Sequence, residues 1–313
     1  MNAIADVRYL THAQFDQLEP RFDAEFGVYW AQLNMRPYPS FNPQLLIEVR
    51  QFIDGITSSH GKMARDGRMH DINYVVLSSK IPGIFSLGGD LALFRNAIVH
   101  KDREQLLQYG KLCIDDLLPW HRSFDLPITT ISLVQGVALG GGFEGALSSS
   151  VVIAEESARM GFPEVLFNLF PGMGAYSFLS RKVGRRITDE LITSGNTYTA
   201  RQLFDMGVVD VITPDGTGEA AVYSYVRKHA KNANGRRGLE QVRRDFEPVT
   251  REELSRIVEI WVDTAIKIDE RDLRMMERLV RAQARSVADN AIASSARLSS
   301  NDAPMLEAVG AGD

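Results

Sequence analysis

The residues with the clearest capacity for chemistry lie in the segment LGGGFEG, residues 139–145, which follows an apolar run. Its glycines match the letters of the dinucleotide-binding pattern G-x-G-x-x-G, and Glu164 follows at the distance where that pattern expects an acid. In such a site, a crossover of at least about 10 to 12 residues, containing a helix, separates the glycines from the next strand. Here the β-rich segment SVVIAEE begins only a few residues after Gly145, so the spacing argues against a dinucleotide site.

An oxyanion hole is the chemistry that fits these glycines better. A strand that ends in glycines and turns into a helix presents unpaired N–H groups at the positive end of that helix, where they stabilise a developing negative oxygen. We predict Gly141 as a donor, with Leu139 and Gly140 beside it in the same substrate-binding turn, and Glu144 projecting from the first helical turn. The glycines alone fit equally well with close packing of a helix on a sheet.

A second glycine pair favours the functional interpretation. In the segment IFSLGGDL, Gly88 and Gly89 follow a β-rich stretch and precede a helical pattern, as the first glycine group does. Two such turns in one α/β chain supply two N–H donors that can converge on one oxygen. One donor of this kind typically contributes roughly 3 to 4 kcal/mol of transition-state stabilisation.

Composition narrows the class of protein. The chain has 313 residues and a formal net charge of −5, which gives no electrostatic case for nucleic-acid binding. Cys113 is the single cysteine, which excludes an internal disulfide and any multi-cysteine metal site. The six histidines show no ligand spacing, so we predict no metal and no cofactor. Without a leader-like N-terminus or an apolar run of about 18 residues, we expect a cytoplasmic protein with no membrane segment.

The elements that must position these residues alternate in type along the chain. INYVVLSS, PITTISLVQGVAL and SVVIAEE are β-rich, whereas NPQLLIEVRQFIDGI has Pro43 at a helix start after an Asn42 cap. A long helical region is predicted from about Leu91 to Phe124, and alternation of this kind indicates an α/β fold. From about Tyr223 onward the pattern is helical.

These patterns divide the chain into four predicted parts. Residues 1–42, which end in the proline-containing RPYPS, are expected to be an N-terminal extension. Residues 43–215 form the predicted core, with the oxyanion hole and the glutamates. We expect a helical C-terminal subdomain over 216–292, which covers the pocket and mediates oligomerisation, and a flexible tail over 293–313.

Taken together, the motifs resemble the crotonase (enoyl-CoA hydratase/isomerase) superfamily, through FSLGGDL, ITTISLVQGVALGGGFEGAL, MGFPEVLFNLFPGMGAYSF and YTARQLFDMGVVDVI. The resemblance covers about residues 72–213 and implies a crotonase-type ββα spiral core with a helical C-terminal subdomain. It also implies that Gly89 and Gly141 are the oxyanion-hole donors and that Glu144 and Glu164 are the catalytic pair.

The chemistry of water addition is consistent with two glutamates. Adding or removing water across the Cα–Cβ bond of a thioester needs one group for the Cα proton, another for the β-oxygen, and donors on the carbonyl. Two carboxyl groups can share this work if their environments hold them in different protonation states. Either glutamate alone is better explained as a solvated surface acid, and their pairing reverses that preference. Which one is the acid and which the base stays open.

Within the superfamily, the motifs are most similar to the diffusible signal factor synthases. That resemblance implies dehydration of a 3-hydroxyacyl group on acyl carrier protein, followed by thioester cleavage that releases a cis-2-unsaturated fatty acid used in cell-to-cell signalling. The resemblance to the superfamily implies a homo-oligomer, a trimer or hexamer, and the resemblance to the synthases allows a sensor histidine kinase as an additional partner. The alternatives are an ordinary enoyl-CoA hydratase acting on acyl-CoA, or a crotonase-like regulator that binds a sensor kinase.

An acyl chain requires an apolar pocket as well as a catalytic pair. Met173, Trp261 and Leu279 are the residues that we predict for it, from the segment LFPGMGAYSF and the C-terminal helical pattern. Methionine and tryptophan at helical spacing are more often part of a core. An ordinary core position therefore remains the alternative for each of the three.

Overall fold

The computed structural model describes residues 15–279 and residue 281. The tail predicted for 293–313, and the end of the helical subdomain predicted for 216–292, lie outside the described residues. Within the described part, no helix is both long enough and apolar enough to cross a membrane.

Six strands form the main sheet, which runs in spatial order through β1 (Leu18–Asp23), β2 (Val28–Leu33), β5 (Tyr74–Ser79), β7 (Thr129–Val134), β9 (Val151–Glu155) and β12 (Val211–Thr213). The β1–β2 pair is antiparallel, and the other neighbouring pairs are parallel. Nearly every residue of β5, β7 and β9 is buried, as expected of a sheet that is covered on both faces.

A smaller, four-stranded sheet carries the predicted catalytic segments. It consists, in spatial order, of β11 (Thr197–Thr199), β10 (Arg159–Gly161), β8 (Gly136–Leu139) and β6 (Gly83–Ser86). β6, β8 and β10 are parallel to one another, and β11 pairs antiparallel with β10. A separate hairpin joins β3 (Lys62–Arg65) to β4 (Arg68–Asp71).

Helices cover these sheets and form the C-terminal part of the described chain. They are α1 (Pro43–Ser58), α2 (Leu91–Val99), α3 (Arg103–His121), α4 (Gly141–Leu147), α5 (Ala175–Thr193), α6 (Ala200–Asp205), α7 (Gly218–Ala230), α8 (Ala233–Phe246) and α9 (Arg251–Ala265). Residues 270–279 are also helical. α3 packs against both α1 and α9, and so connects the N-terminal part of the core to the C-terminal helices. The α/β fold and the helical C-terminal pattern are as predicted.

The N-terminal extension predicted over residues 1–42 includes two strands of the main sheet. β1 and β2 belong to the main sheet, and β2 pairs in parallel with β5 over its full length. Trp30 and Leu33 are buried in the core. The prolines of RPYPS do interrupt regular structure, but they do so after these strands, so they mark a connection within the core.

The long helical region predicted from Leu91 to Phe124 is two helices, α2 and α3. The chain turns between them at Lys101, which has a φ of 55°. Asp102 then caps α3, because its side chain accepts a hydrogen bond from the N–H of Gln105 at 3.0 Å. The predicted start of α1 is confirmed: the Asn42 side chain accepts from the N–H of Leu45 at 3.0 Å.

Candidate active site

Three adjacent parallel strands bring the site together. Gly88 and Gly89 follow β6, Gly141 and Glu144 follow β8, and Glu164 follows β10. Gly161 of β10 lies opposite Leu139 of β8, and the N–H of Gly140 donates to the Gly161 carbonyl at 2.9 Å. Because the carboxyl ends of parallel strands meet at one edge of a sheet, segments distant in sequence become neighbours.

The two glycine turns are in contact. A Cβ atom added to Gly141 would lie 3.3 Å from the amide nitrogen of Gly89, and one added to Gly88 would lie 2.9 Å from the Leu139 carbonyl oxygen. Gly88 also has a φ of 105°, which favours glycine. Side chains at these positions would therefore separate the turns. Their close approach depends on glycine.

The amides of Gly89 and Gly141 are available to a ligand. Gly141 is the first residue of α4, where N–H groups have no partner within the helix. Over residues 15–279, neither amide donates to a protein acceptor. Both residues are only partly buried, so they open onto the space in front of the sheet edge. Two neighbouring free amides at this place have the composition of an oxyanion hole.

Glu144 is held by the loop that leads into α5. It is 1% exposed, and its Oε1 accepts hydrogen bonds from the amides of Met173 at 2.8 Å and Ala175 at 3.0 Å. Burial raises the pKa of Glu144 to about 7, against the opposing effect of these amides and that of Gly174. The side chain is therefore fixed in orientation and can gain or lose a proton near neutral pH.

Glu164 has a different environment. It stands in a short 3-10 helix, Pro163–Phe167, and its Oε1 lies directly against Gly140, where a Cβ atom would overlap it. Its Oε2 is buried and has no hydrogen-bond partner among the described residues. Burial raises the pKa of Glu164 to about 8, and the charge of Glu144 adds to the shift. At neutral pH the pair thus favours a proton on Glu164.

A mostly apolar cavity connects these groups. Its lining includes Gly88, Gly89, Gly140, Gly141, Glu144 and Glu164, together with the predicted pocket residues Met173, Trp261 and Leu279. Trp261 is 2% exposed, and its ring packs on Gly172 and edge-on against Phe94. It is therefore both a core residue and part of the cavity wall. Leu139 differs from the other predicted site residues, because it does not line the cavity and meets Gly88 through its carbonyl oxygen.

The sequence interpretation missed some of the groups in this cavity. Tyr109 and Asp116 of α3 line it with Cys113, and the Tyr109 hydroxyl donates to the Phe41 carbonyl at 2.6 Å. The three residues recur at helical spacing and therefore share one face of α3. An acid on an otherwise apolar helix face was the sequence feature that could have indicated Asp116 as a cavity residue. The backbone amides that donate to Glu144 could not be predicted from the sequence, since every residue type except proline has such an amide.

The arrangement defines a class of enzyme site. The amides of Gly89 and Gly141 lie beside two buried carboxyl groups in the lining of a mostly apolar cavity. This arrangement is suited to an acyl compound whose carbonyl oxygen gains negative charge while protons move at neighbouring carbons.

Comparison with known proteins agrees with this class. The model of the enoyl-CoA hydratase/isomerase family matches residues 52–289, and the chain belongs to that family. Methylglutaconyl-CoA hydratase of Rattus norvegicus is 30% identical over 152 residues, which are 48% of this chain and 46% of that protein. The fatty acid oxidation complex subunit alpha of Pseudomonas syringae pv. tomato is 30% identical over 188 residues, 60% of this chain and 24% of that subunit. The chain thus spans about half the length of the rat hydratase and about a quarter of the length of the Pseudomonas subunit.

Solved structures show the same fold at lower identity. Human mitochondrial delta3-delta2-enoyl-CoA isomerase superposes with a TM-score of 0.71 at 17% identity, covering 87% of this chain and 99% of that one. The predicted crotonase-type fold is therefore confirmed.

Proposed function

We propose that the chain catalyses the reversible addition of water across the Cα–Cβ bond of a 2-enoyl thioester. The observation that carries the proposal is the pairing of two buried carboxyl groups beside the amides of Gly89 and Gly141, which donate to no acceptor among the described residues. Burial raises the pKa of Glu144 to about 7 and that of Glu164 to about 8. Such a pair can supply a base and an acid at the same pH. The hydratases among the relatives support the same class of reaction.

In the proposed reaction, the amides of Gly89 and Gly141 bind the thioester carbonyl oxygen. Glu144, as the carboxylate, takes a proton from water while the water oxygen bonds to Cβ. The carbonyl becomes enolate-like, and the amides stabilise its negative charge. Glu164, as the neutral acid, then delivers its proton to Cα, and dehydration is the reverse sequence. This assignment follows from the lower pKa and the amide donors of Glu144.

The direct test is turnover of a straight-chain 2-enoyl-CoA, followed by the loss of absorbance of the conjugated thioester. We expect hydration by the wild-type chain and a large loss in Glu144→Gln and Glu164→Gln. Glu48→Gln is the matched control, because Glu48 is also a buried glutamate but does not line the cavity. A folded wild-type protein that hydrates no 2-enoyl thioester of any tested chain length contradicts the proposal.

We further propose that the same site releases a free cis-2-unsaturated fatty acid of the diffusible signal factor type. The support is the sequence resemblance to the synthases of such signals. After dehydration of a 3-hydroxyacyl thioester, water would add to the carbonyl carbon and the C–S bond would break, with the thiol leaving with a proton. The amides of Gly89 and Gly141 would bind the oxyanion in this step as well.

Mass spectrometry separates this proposal from simple hydration. Incubation with 3-hydroxyacyl groups of several lengths, on acyl carrier protein and on CoA in parallel, should yield free 2-unsaturated acid if the thioester is cleaved. Recovery of hydrated and dehydrated thioesters alone would contradict thioester cleavage and favour an ordinary hydratase. The parallel arms also determine which carrier is the better donor.

The expected partners remain proposals of the same kind. An acidic carrier protein would be attracted by basic side chains such as those of α8, which buries none of its residues. Three of the α8 arginines, however, hydrogen-bond within the chain, to Tyr225, Asn73 and Ser123. A carrier KM that rises steeply with salt would support docking through charge. Sedimentation analysis tests the predicted trimer or hexamer. A pull-down with a sensor kinase tests the predicted signalling partner.

A further inference from the structure

Asp116 is an acid in the wall of the cavity that the proposed reaction does not use. It is 5% exposed, and it lines the cavity together with Leu117 and Trp120 of α3. Neither of its carboxyl oxygens has a hydrogen-bond partner among the residues that the structure describes. A buried polar group without a partner costs about 1 to 3 kcal/mol, so its presence in an apolar wall calls for a ligand.

Other buried acids of this chain show what structural acids look like here. Glu48 accepts hydrogen bonds from the amides of Gln17 at 2.8 Å and Leu18 at 3.1 Å. Glu155 accepts from the amide of Gly218 at 3.0 Å and from the Gln135 side chain at 3.2 Å. Both acids are satisfied within the fold. Asp116 contributes no comparable bond, so fold stability does not account for it.

Burial disfavours the charged form of Asp116. Burial raises its pKa well above the usual range, and although Arg50 opposes the shift, Asp115 and Asp54 add to it. The Arg50 guanidinium donates instead to the Asp115 carbonyl and to the Asp54 carboxylate, both at 2.7 Å. A neutral carboxyl group has both an O–H donor and a carbonyl acceptor, which suits an uncharged oxygen on a ligand.

The helix sets the distance between Asp116 and Tyr109, which stands beside the glycine turns. Tyr109, on the same helix, stands at the oxyanion turn, because a Cβ added to Gly89 would lie 3.1 Å from its hydroxyl oxygen. Asp116 follows seven residues later, about 10 Å further along the helix axis. With carbon–carbon bonds near 1.5 Å, about eight carbons of an extended acyl chain cover that distance.

We propose that Asp116 is a specificity-determining residue that hydrogen-bonds an uncharged oxygen, a hydroxyl or carbonyl, carried on the distal part of the acyl chain. The substrate class is then an oxygenated medium-chain acyl thioester. The inference rests on the proposed function, because it places the thioester of the same substrate at Gly89 and Gly141. Sites that hydrogen-bond a substrate hydroxyl discriminate against the analogue that lacks it, since their buried polar groups are then left unpaired.

The test compares 2-decenoyl-CoA with its ω-hydroxy derivative, and with derivatives whose hydroxyl is moved one carbon at a time toward the thioester. Wild-type kcat/KM should favour one hydroxylated position by about tenfold or more. Asp116→Asn, which keeps a donor and an acceptor, should retain a preference. Asp116→Leu should abolish or invert it. Asp115→Asn is the matched control and should leave the preference unchanged.

The same variants separate failure of this inference from failure of the proposed function. Binding of saturated decanoyl-CoA and its hydroxylated forms, measured by calorimetry, reports on the cavity without turnover. Equal turnover of plain and hydroxylated enoyl thioesters by the wild type at every position overturns the role of Asp116 and leaves hydration intact. A binding preference that Asp116→Leu removes, in a protein without hydratase activity, supports the role and contradicts the reaction. Absence of both binding and turnover contradicts both.

Discussion

Two buried glutamates in different regions of this chain have opposite surroundings. Glu48 lies on α1, where two backbone amides and the Gln44 side chain donate to its carboxyl oxygens. Glu164 lies at the sheet edge near a second acid, with its Oε1 against Gly140. Its Oε2 has no hydrogen-bond partner within the part of the chain that the structure describes. The first arrangement lowers the energy of the folded state. The second raises it, and burial favours the protonated form of Glu164, as the proposed role of an acid requires.

The difference indicates that burial alone does not identify a catalytic acid. Glu144 is intermediate, because its Oε1 has two amide donors although the residue faces the cavity. Hydrogen bonds thus fix the orientation of one member of the pair, and desolvation sets the proton affinity of both. Variants of these acids therefore separate effects on stability from effects on turnover.

The largest expected effect is the loss of hydratase turnover in Glu164→Gln and in Glu144→Gln. Removal of a general acid or base typically lowers the rate about 10²- to 10⁴-fold. We expect Glu164→Gln to unfold at an equal or higher temperature than the wild type, since the change removes an unsatisfied acid. Steady-state kinetics with thermal melting of each variant measures both. Near-normal turnover in a folded Glu164→Gln protein would remove Glu164 from the mechanism.

Displacement of Glu164 without changing it should have the next largest effect. In Gly140→Ala, the new Cβ would overlap Glu164 Oε1, at a backbone φ of 51°. A displacement of about 1 Å can cost 10²-fold in rate, so we expect a loss of about tenfold to a hundredfold. Gly67→Ala is the control, because Gly67 has a φ of 72° and no atom within 4 Å of an added Cβ. Equal kinetic losses in both variants would attribute the effect to backbone strain.

Glu48→Gln should show the reverse behaviour. A hydrogen bond contributes about 0.5 to 1.5 kcal/mol, and a glutamine replaces those of Glu48 only in part, so we expect the free energy of unfolding to fall by about 1 to 2 kcal/mol. Turnover per folded molecule should stay within about twofold of the wild type, because Glu48 does not line the cavity. Chemical denaturation and kinetics on the same sample measure the two quantities. If Glu48→Gln instead lost turnover with unchanged stability, Glu48 would be a functional acid and the contrast with Glu164 would be wrong.

The smallest expected effect is the dependence of the melting temperature on pH. The pKa of Glu164 is raised from 4.5 to about 8 on folding, so between those pH values the folded state keeps a proton that the unfolded state has released. Stability due to this group is therefore present at low pH and is lost as the pH rises from 4.5 to about 8. We expect the Tm of the wild type to fall relative to that of Glu164→Gln by a few degrees between pH 5 and pH 9. A constant Tm difference would contradict the raised pKa.

Sequence patterns were sufficient for the parts of the site that end strands. Glycines after a β-rich run, and acids shortly after them, can be recognised because parallel strands place their carboxyl ends together. This is why Gly88, Gly89, Gly141 and the two glutamates meet at one edge. The Asn42 cap was predictable for a similar reason, since it depends on residues close in sequence.

Local sequence patterns did not predict the features that depend on contacts between distant parts of the chain. The membership of β1 and β2 in the main sheet depends on the pairing of β2 with β5, which no local feature of residues 15–42 indicates. The amides of Met173 and Ala175 that hold Glu144 carry no residue signature. The exposure of Asp116 to the cavity depends on how α3 sits between α1 and α9.

The strand pairing that unites the site also determines when it can exist during folding. Gly83 of β6 pairs with Gly136 of β8, and β8 pairs with β10, so no short fragment contains both amides and both glutamates. Parallel pairing between distant segments forms slowly, because the entropy of closing the intervening loops is lost before the contacts form. Recovery of hydratase activity during refolding should therefore lag behind recovery of helical circular dichroism.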